Sequence, residues 1–289
     1  MRYEGDVYRP PSEAESLIIQ LTIGCARNTC RFCTMYKSKQ FRIRPLAEVF
    51  EDLRWVKERS YYRFDRVFLA DGDALIVKTP DLITLLDEIY RLFPHVRRVT
   101  TYGAAQDVLQ KSPEELLQLR SHGLEMVYIG AESGSDKVLA DVDKRVTAAE
   151  TVEACLKLKE AGIKVSMTLI TGLGGRRDTR EHAIESAKLV TATKPEYLGL
   201  LTLEMGSRTP LAADLRSGKF QQLTPMEGFG EQKLFLENVD SEGTVLRSNH
   251  ASNYMALAGT LNRDRERMLS QLERAISLGD RFPEGYHRL

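Results

Sequence analysis

The sequence has few cysteines, few histidines and no long hydrophobic run. Its 289 residues include four cysteines and five histidines. No stretch of about 18 apolar residues is present, so the sequence predicts no membrane-spanning helix. Lys plus Arg equals Asp plus Glu at 41 each, which gives a formal net charge of zero. Since nucleic-acid-binding proteins normally carry a basic excess, this balance argues against a nucleic-acid partner without excluding one.

The low cysteine content also bears on the compartment. No targeting segment is visible at the N-terminus, and an odd cluster of cysteines cannot pair fully in a disulfide framework. With 42% hydrophobic and 28% charged residues, the composition is that of an ordinary globular protein. We therefore expect a cytoplasmic protein, built as one large α/β domain or as a domain with a modest appendage.

Three of the four cysteines lie close together, at Cys25, Cys30 and Cys33. Three thiolates on one short segment can each hold one iron of a cube-shaped iron–sulfur cluster. No fourth protein ligand stands nearby, which would leave one iron open to bind another molecule. Cys155 stands apart in a stretch of helical period, where we expect a buried small hydrophobic residue.

Two other interpretations of the cysteines remain open. Zinc normally takes a fourth Cys or His, often from a second pair further along the chain, and the sequence has no second C-x-x-C and no paired histidines. A redox-active dithiol is the other alternative. The spacing favours an iron–sulfur cluster with an open iron over both.

Apolar runs of strand length alternate with segments of helical period. We predict strands at 16–23, 66–70, 96–101, 126–131, 163–170 and 197–202, with helices at 46–59, from 79, from 112, at 148–161 and at 178–192. Six repeats of roughly thirty residues imply parallel strands, because crossovers of that length return the chain in the same direction. A barrel, complete or partial, and a doubly wound open sheet both fit this pattern.

The cysteine loop resembles the cluster motif of the radical S-adenosylmethionine (radical SAM) superfamily. The usual motif has three residues between its first two cysteines and two between the last two, whereas this chain has four and two. Phe32 supplies the hydrophobic residue that precedes the last cysteine in that family. The resemblance implies an α/β fold, a partial (β/α)6 TIM-like barrel. It also implies a [4Fe–4S] cluster on the three cysteines, with SAM bound at the open iron.

The second predicted strand ends at Asp71, Gly72 and Asp73. In folds of this type the chemistry lies at the carboxyl ends of the strands. The three residues are similar to the Gly-Gly-Glu-Pro motif of the superfamily, where backbone carbonyls hold the ammonium group of the methionyl moiety. The resemblance implies that Gly72 allows the close backbone approach and that the two carboxylates add negative charge beside the cation. A simple acidic turn is the alternative.

The fourth predicted strand ends at Glu132 and Ser133, which are similar to the Glu-Ser-Gly signature of one large branch of the family. The resemblance implies contacts with the ribose hydroxyls or the methionine portion of SAM, and a carboxylate can accept both protons of a cis-diol. Ser135 is expected to be a helix cap. Lys144 and Arg145 stand where relatives often carry a basic residue for the SAM carboxylate.

The fifth predicted strand ends with Ile170 and Gly172, which match two positions of a Gly-x-Ile-x-Gly motif that contacts the adenine in relatives. Thr168 departs from the first glycine of that motif. A plain turn or a phosphate-binding loop is the alternative, although neither a Walker lysine nor a complete dinucleotide fingerprint is present.

The resemblance implies a mechanism in which one electron cleaves SAM to methionine and a 5′-deoxyadenosyl radical, which takes hydrogen from a substrate. An electron donor such as flavodoxin or ferredoxin is then a partner. A small-molecule substrate is favoured, because we see no cysteines for a second cluster and no room for a cobalamin or RNA-binding domain. The alternatives are a tRNA- or peptide-modifying enzyme, for which a basic face near Arg97, Arg98, Arg176 and Arg177 would speak, and a non-catalytic electron carrier or SAM sensor.

We predict an N-terminal extension at 1–15, a radical SAM core at 16–205 and a C-terminal extension at 206–289 that packs on the core as a lid. The polar segment 246–254 is predicted to line the pocket mouth, with His250 or Tyr254 as a proton or hydrogen donor, or else to be an ordinary surface loop. Tyr102 and Gln106, after the third strand, are further candidates.

Overall fold

The computed structural model describes residues 1–59 and 64–279. Its strands are β1 (Leu17–Gln20), β2 (Thr22–Ile23), β3 (Arg42–Ile43), β4 (Arg66–Ala70), β5 (Arg98–Tyr102), β6 (Leu124–Glu132), β7 (Lys164–Thr171), β8 (Tyr197–Thr202), β9 (Val245–Ser248) and β10 (Leu257–Thr260). Its helices are α1 (Leu46–Arg59), α2 (Thr79–Leu92), α3 (Ala105–Gln110), α4 (Pro113–Ser121), α5 (Asp136–Asp141), α6 (Ala148–Glu160), α7 (Gly175–Thr193), α8 (Pro210–Arg216), α9 (Pro225–Asn238) and α10 (Arg265–Leu278).

The predicted elements are present, and β4, β8 and α1 have the predicted bounds. The first predicted strand is divided at Leu21, after which Thr22 and Ile23 pair with β3 instead. The third strand begins at Arg98 rather than at 96, because the Val96 N–H closes a turn onto the Phe93 carbonyl. Pairing with a different strand explains the first difference, and a local turn hydrogen bond explains the second.

The first of two compact units contains residues 1–28, 35–129 and 156–165. Its strands lie in the order β1-β4-β5-β6, and β1, β4 and β5 are parallel, with Leu17 opposite Val67 and Val67 opposite Val99. Val67 and Val99 are fully buried. The helix α1 buries Val49, Leu53 and Val56 at helical spacing, which is the amphipathic pattern that the sequence predicted.

The second unit contains residues 29–34, 130–155 and 166–279. Here β7, β8 and β9 are parallel, with Met167 opposite Leu198 and Leu198 opposite Leu246, and β10 is antiparallel to β9. The helix α9 packs on α7 and on α10. The β8–α9–β9 segment thus adds one more parallel repeat beyond the six that the sequence indicated. The four-residue strand β9 was not predicted, because two of its residues, Arg247 and Ser248, are polar.

The strands are mostly parallel and helices connect them, so the protein has the α/β class and the (β/α) repeat of a partial TIM-like barrel, as expected. In this arrangement the carboxyl ends of the strands carry the loops in which functional residues gather. Within the part of the chain that the structure describes, no helix is both long and apolar enough to cross a membrane.

Candidate cofactor site

The later part of the cysteine loop is fixed by its backbone within the second unit. The Arg31 N–H donates to the Val142 carbonyl at 2.9 Å, and the Arg31 carbonyl accepts from the Leu211 N–H at 3.1 Å. The Thr29 hydroxyl donates to the Asp143 carbonyl at 2.9 Å. The loop is therefore attached to the end of α5 and to the start of α8.

The three loop cysteines are each partly exposed, whereas Cys155 is buried in α6 as predicted. The Cys33 N–H lies 3.4 Å from the Cys30 carbonyl, which forms a tight turn between two of the thiols. In residues 1–59 and 64–279, no three His, Cys, Asp or Glu side chains are grouped so that they could hold a metal ion. A [4Fe–4S] cluster has a different requirement, because each thiolate binds its own iron at a separate corner of the cube.

Asp71 fixes the start of the cysteine loop within the first unit. It is fully buried, and its Oδ2 accepts from Gln20 Nε2 at 3.0 Å, from the Gly24 N–H at 2.9 Å and from Lys39 Nζ at 2.9 Å. Gly24 has a φ of +77°, a conformation that favours glycine. Asp71 therefore holds the backbone immediately before Cys25, and Lys39 offsets its charge.

Gly72 leaves no space for a side chain. A Cβ atom at this position would lie 2.4 Å from Cε2 of Tyr36, well inside van der Waals contact. The backbone of the turn after β4 is therefore packed against the Tyr36 ring. The packing of Tyr36 therefore requires glycine here, and the role of Gly72 toward the methionyl group stays a prediction.

Asp73 is fully buried, and neither of its carboxylate oxygens makes a hydrogen bond of ordinary geometry within the described residues, although the Asp107 carboxyl and the Ala104 N–H lie close enough to affect its pKa. Burial, together with the neighbouring Asp107 carboxyl, raises the pKa of Asp73 to about 8. The positive charge of Arg27, which forms an ion pair with Asp107, acts in the opposite direction. Asp73 is thus a buried carboxyl group whose oxygens can still accept hydrogen bonds.

Glu132 ends β6 with an unusual backbone conformation. Its φ is +66°, a region that residues with side chains adopt rarely and mostly at functional sites. Its Oε1 accepts from Lys144 Nζ at 2.9 Å. A Cβ atom on Gly130 would lie 2.1 Å from the same oxygen, so the glycine makes room for the carboxylate. Lys144, predicted for the SAM carboxylate, here neutralises Glu132, while the exposed Arg145 pairs with Asp143.

The residues after Glu132 are fixed by hydrogen bonds to α7. The Ser133 hydroxyl lies 2.7 Å from His182 Nδ1, and the Gly134 N–H donates to Ser186 Oγ at 2.9 Å. Ser135 caps α5, as predicted, by accepting from the Val138 N–H. His182 was not singled out in the sequence, because a single histidine in a helical pattern carries no motif.

Phe32 and Ile170 meet at one apolar cluster. Phe32 packs against six buried residues of the second unit, which are Val138, Val142, Ile170, Leu173, Leu203 and Leu211. Gly172, two residues after Ile170, has a φ of +84° and donates its N–H to Glu231 Oε1 at 2.6 Å. Of the two residues that the sequence assigned to adenine, Ile170 therefore lies in β7 within this apolar cluster and Gly172 lies on the turn that follows the strand.

A cavity of about 620 Å³ opens in the second unit at the carboxyl end of β8. Its lining includes Thr202 and Leu203 from the strand end, the charged Glu204 and Arg216, and Ser252 and Tyr254 from the predicted polar segment. His250 does not line it, but its Nδ1 lies 2.8 Å from Ser252 Oγ.

Two other sets of candidates lie elsewhere. Tyr102 packs edge-on against Phe68 with ring centroids 4.9 Å apart, in the core of the first unit. The four arginines of the suspected basic face each form an ion pair, namely Arg97 with Asp65, Arg98 with Glu13, Arg176 with Glu227, and Arg177 with Asp141 and Asp178. Their charges are therefore neutralised locally.

Comparison with protein families identifies the class. The family model of the radical SAM superfamily matches residues 19–190, more than half of the chain. The chain belongs to the radical SAM superfamily. This membership confirms the expected class of enzyme and its two cofactors, a [4Fe–4S] cluster and SAM.

Among curated proteins, the chain is 23% identical over 202 residues to threonylcarbamoyladenosine tRNA methylthiotransferase MtaB of Rickettsia prowazekii, covering 67% of this chain and 47% of that protein. It is 25% identical over 154 residues to hopanoid C-3 methylase of Methylococcus capsulatus, covering 53% of this chain and 28% of that protein. The chain thus spans less than half the length of either relative.

Solved structures share the fold. The radical SAM methyltransferase TsrM from Kitasatospora setae, solved with tryptophan and a SAM analogue, matches with a TM-score of 0.57 at 18% identity, over 71% of this chain and 39% of that one. Methylornithine synthase (PylB) matches with a TM-score of 0.51 at 17% identity, over 94% of this chain and 83% of that one.

Proposed function

We propose that the protein is a radical SAM enzyme that abstracts hydrogen from a small-molecule substrate. The observation that carries the proposal is the set of three partly exposed thiols, Cys25, Cys30 and Cys33, on a loop anchored by backbone hydrogen bonds. Thiolates are the ligands that iron–sulfur clusters take in proteins, so the donor set fits a [4Fe–4S] cluster. When bound, the cluster and SAM supply one-electron cleavage of the sulfonium and, from it, removal of a hydrogen atom from the substrate.

The chain's own residues bind and orient SAM. Asp73 has two buried oxygens that make no hydrogen bond of ordinary geometry within the described part of the chain, which suits a cationic group such as the methionyl ammonium. Bringing a cation to this site favours the ionised carboxylate, so binding releases the proton that burial retains on Asp73. Gly72 contributes the close approach of backbone, and Asp71 keeps Gly24 in place.

The nucleoside part of SAM is assigned to residues at the ends of β6 and β7. Glu132 offers carboxylate oxygens to the ribose hydroxyls, and Lys144 holds that carboxylate in place through its Nζ. Phe32 and Ile170 provide the apolar surface for the adenine and Gly172 provides backbone. The Ser133 hydroxyl fixes the turn after β6 through His182. An apolar surface here also excludes water from the reacting atoms.

The cavity at the end of β8 supports a small-molecule substrate. At about 620 Å³ it has the size of a typical small-ligand pocket. Tyr254 is placed on its wall, which supports a role as a donor to the substrate. A tRNA substrate is the second candidate, favoured by the names of relatives such as MtaB. The neutralised arginines favour the small molecule.

The proposal includes an electron donor such as flavodoxin or ferredoxin, since the reduced cluster must be regenerated from outside the chain. It also includes a cytoplasmic location, where a reducing environment protects thiols and clusters.

Anaerobic reconstitution with iron and sulfide tests the proposal. With dithionite and SAM, we expect 5′-deoxyadenosine and methionine by chromatography, together with about four irons per chain by the cluster type assigned. Cys30→Ala should lose iron and product formation. Cys155→Ala is the matched control, because its thiol is buried in a helix away from the loop, and it should keep both. A Cys30→Ala variant with full iron content and product formation would refute the proposal.

A further inference from the structure

A buried histidine joins the ends of β6 and β7. His182 lies on α7 with 3% of its surface exposed. Its Nδ1 lies 2.7 Å from Ser133 Oγ, and its Nε2 lies 3.0 Å from the Ile170 carbonyl. One imidazole ring therefore contacts both strand ends assigned to SAM, although the ring itself is not in the proposed contact set.

The hydrogen bonds have a consistent direction. The Ile170 carbonyl can only accept, so Nε2 carries a ring proton and donates it there. Nδ1 is then left to accept from the Ser133 hydroxyl, whose oxygen in turn accepts from the Ser135 N–H at 3.0 Å. Both ring nitrogens are used, and the serine hydroxyl is used both as donor and as acceptor.

A carboxylate on α9 completes the network from the other side of Ile170. Glu231 is 6% exposed, its Oε1 accepts from the Gly172 N–H at 2.6 Å, and its Oε2 accepts from the Thr179 hydroxyl at 2.5 Å. His182 Nε2 also lies 3.6 Å from Glu231 Oε1. The carbonyl of Ile170 and the N–H of Gly172 are thus each held by a side chain from a different helix.

We propose that His182 is a positioning residue for SAM, which fixes Ser133 and Ile170 relative to each other through its two ring nitrogens. The inference rests on the proposed function. His182 is buried on α7 beside Ala183, Ala187 and the polar Ser186, and burying its polar ring is costly unless its hydrogen bonds are made. An aliphatic side chain would satisfy packing alone, whereas only a side chain with an acceptor at Nδ1 and a donor at Nε2 joins the two turns.

Binding of SAM to the anaerobically reconstituted protein, measured by equilibrium dialysis, tests the proposal. His182→Leu keeps an apolar side chain in the space of the ring but removes both hydrogen bonds. We expect about ten-fold weaker binding or more, since buried partners are left unsatisfied, with iron content unchanged. His182→Asn can still accept from Ser133, and His182→Gln can still donate to Ile170, so each should recover part of the affinity.

Thr193→Val is the matched control, because it removes a buried hydroxyl that bonds within α7 to the Leu189 carbonyl. It should bind SAM as the wild type does. Wild-type affinity in His182→Leu, or an equal loss in Thr193→Val, would overturn the proposal. If His182→Leu does not fold, wild-type affinity for SAM in both His182→Asn and His182→Gln would overturn the proposal. Failure of the wild type itself to bind SAM would instead count against the proposed function.

Discussion

The buried acid in the turn after β4 and the buried acid at the end of β6 have different surroundings. Asp73, after β4, makes no hydrogen bond of ordinary geometry in the described residues, and its pKa is raised to about 8. Glu132, at the end of β6, is held by Lys144 at 2.9 Å. The difference indicates two tasks. An acid without a partner is suited to receive a cation, whereas an acid with its charge already balanced is suited to neutral hydroxyls.

Asp71 sharpens the contrast, because it is buried as fully as Asp73 and lies only two residues away. It accepts three hydrogen bonds, one of them from a buried lysine. At the same depth, Asp71 uses Oδ2 to hold the loop and leaves only Oδ1 without a hydrogen bond, whereas both oxygens of Asp73 are without one. Substitutions at these acids should change stability in opposite directions.

The largest effect is expected for Asp71→Asn. The amide leaves Lys39, whose side chain is 6% exposed, as a buried cation without its counter-charge. Breaking such a pair costs about 3–5 kcal/mol of unfolding free energy. Urea unfolding followed by circular dichroism measures it. The control Asp87→Asn breaks only the exposed pair with His122 and should cost less than about 1 kcal/mol. Equal losses in the two variants would contradict the role of Asp71.

A smaller loss is expected for Lys144→Met, which keeps the length of the side chain and removes its charge. Glu132, with 12% of its side chain exposed, then lacks its donor, which should cost about 1–3 kcal/mol. Affinity for SAM should also fall, because the carboxylate is no longer held for the ribose. Lys188→Met, at an exposed pair with Glu185 on α7, is the control. If Lys144→Met has the stability and the SAM affinity of the wild type, then Lys144 does not hold Glu132 for the ribose, and the proposed difference between Glu132 and Asp73 is wrong.

The opposite sign is expected for Asp73→Asn. The folded wild type keeps the Asp73 proton up to about pH 8, while an unfolded chain releases it near pH 4. The wild-type unfolding free energy therefore falls as pH rises from about 4 to 8, and the variant lacks this contribution. At pH 8 the variant should be more stable by about 1 kcal/mol or more, with the difference vanishing below about pH 4.

The same variant should bind SAM about ten-fold less tightly or worse, because the amide cannot supply a negative charge to the ammonium. A gain in stability with a loss of binding is typical of a residue kept for function. Unfolding measured across the pH range, with SAM dialysis on the same preparations, checks both parts. A variant that is less stable at pH 8 and binds SAM normally would make Asp73 an ordinary structural acid.

The sequence predicted the repeating parts of the fold well, for reasons visible in particular residues. Val49, Leu53 and Val56 stand at helical spacing, and residues 66–70 form a short apolar run, so α1 and β4 could be placed from local pattern. The three clustered cysteines, together with the motif-like residues at the strand ends, likewise predicted the family, although the first cysteine interval is one residue longer than usual. These signals depend only on residues that are close together in the chain, so they could be read without the structure.

The partners of the site residues could not be predicted in this way. Glu231 reaches Gly172 from 59 residues away along the chain, and neither residue carries a motif for the other. Asp71 and Asp73 look alike in the sequence, and only the positions of Lys39, Gln20 and Asp107 distinguish them. Such pairings depend on tertiary packing, which decides whether a buried acid is satisfied.

The attachment of the cysteine loop to α8 has a consequence for the order in which the protein is made. The Arg31 carbonyl accepts from the Leu211 N–H, and the Arg31 guanidinium pairs with Asp214, 183 residues further along the chain. During synthesis the loop leaves the ribosome early, but its final contacts exist only after α8 has emerged. At a synthesis rate of roughly 5–20 residues per second, α8 emerges many seconds after the cysteine loop. The attachment of the cysteine loop to α8 is therefore completed late in the synthesis of the chain.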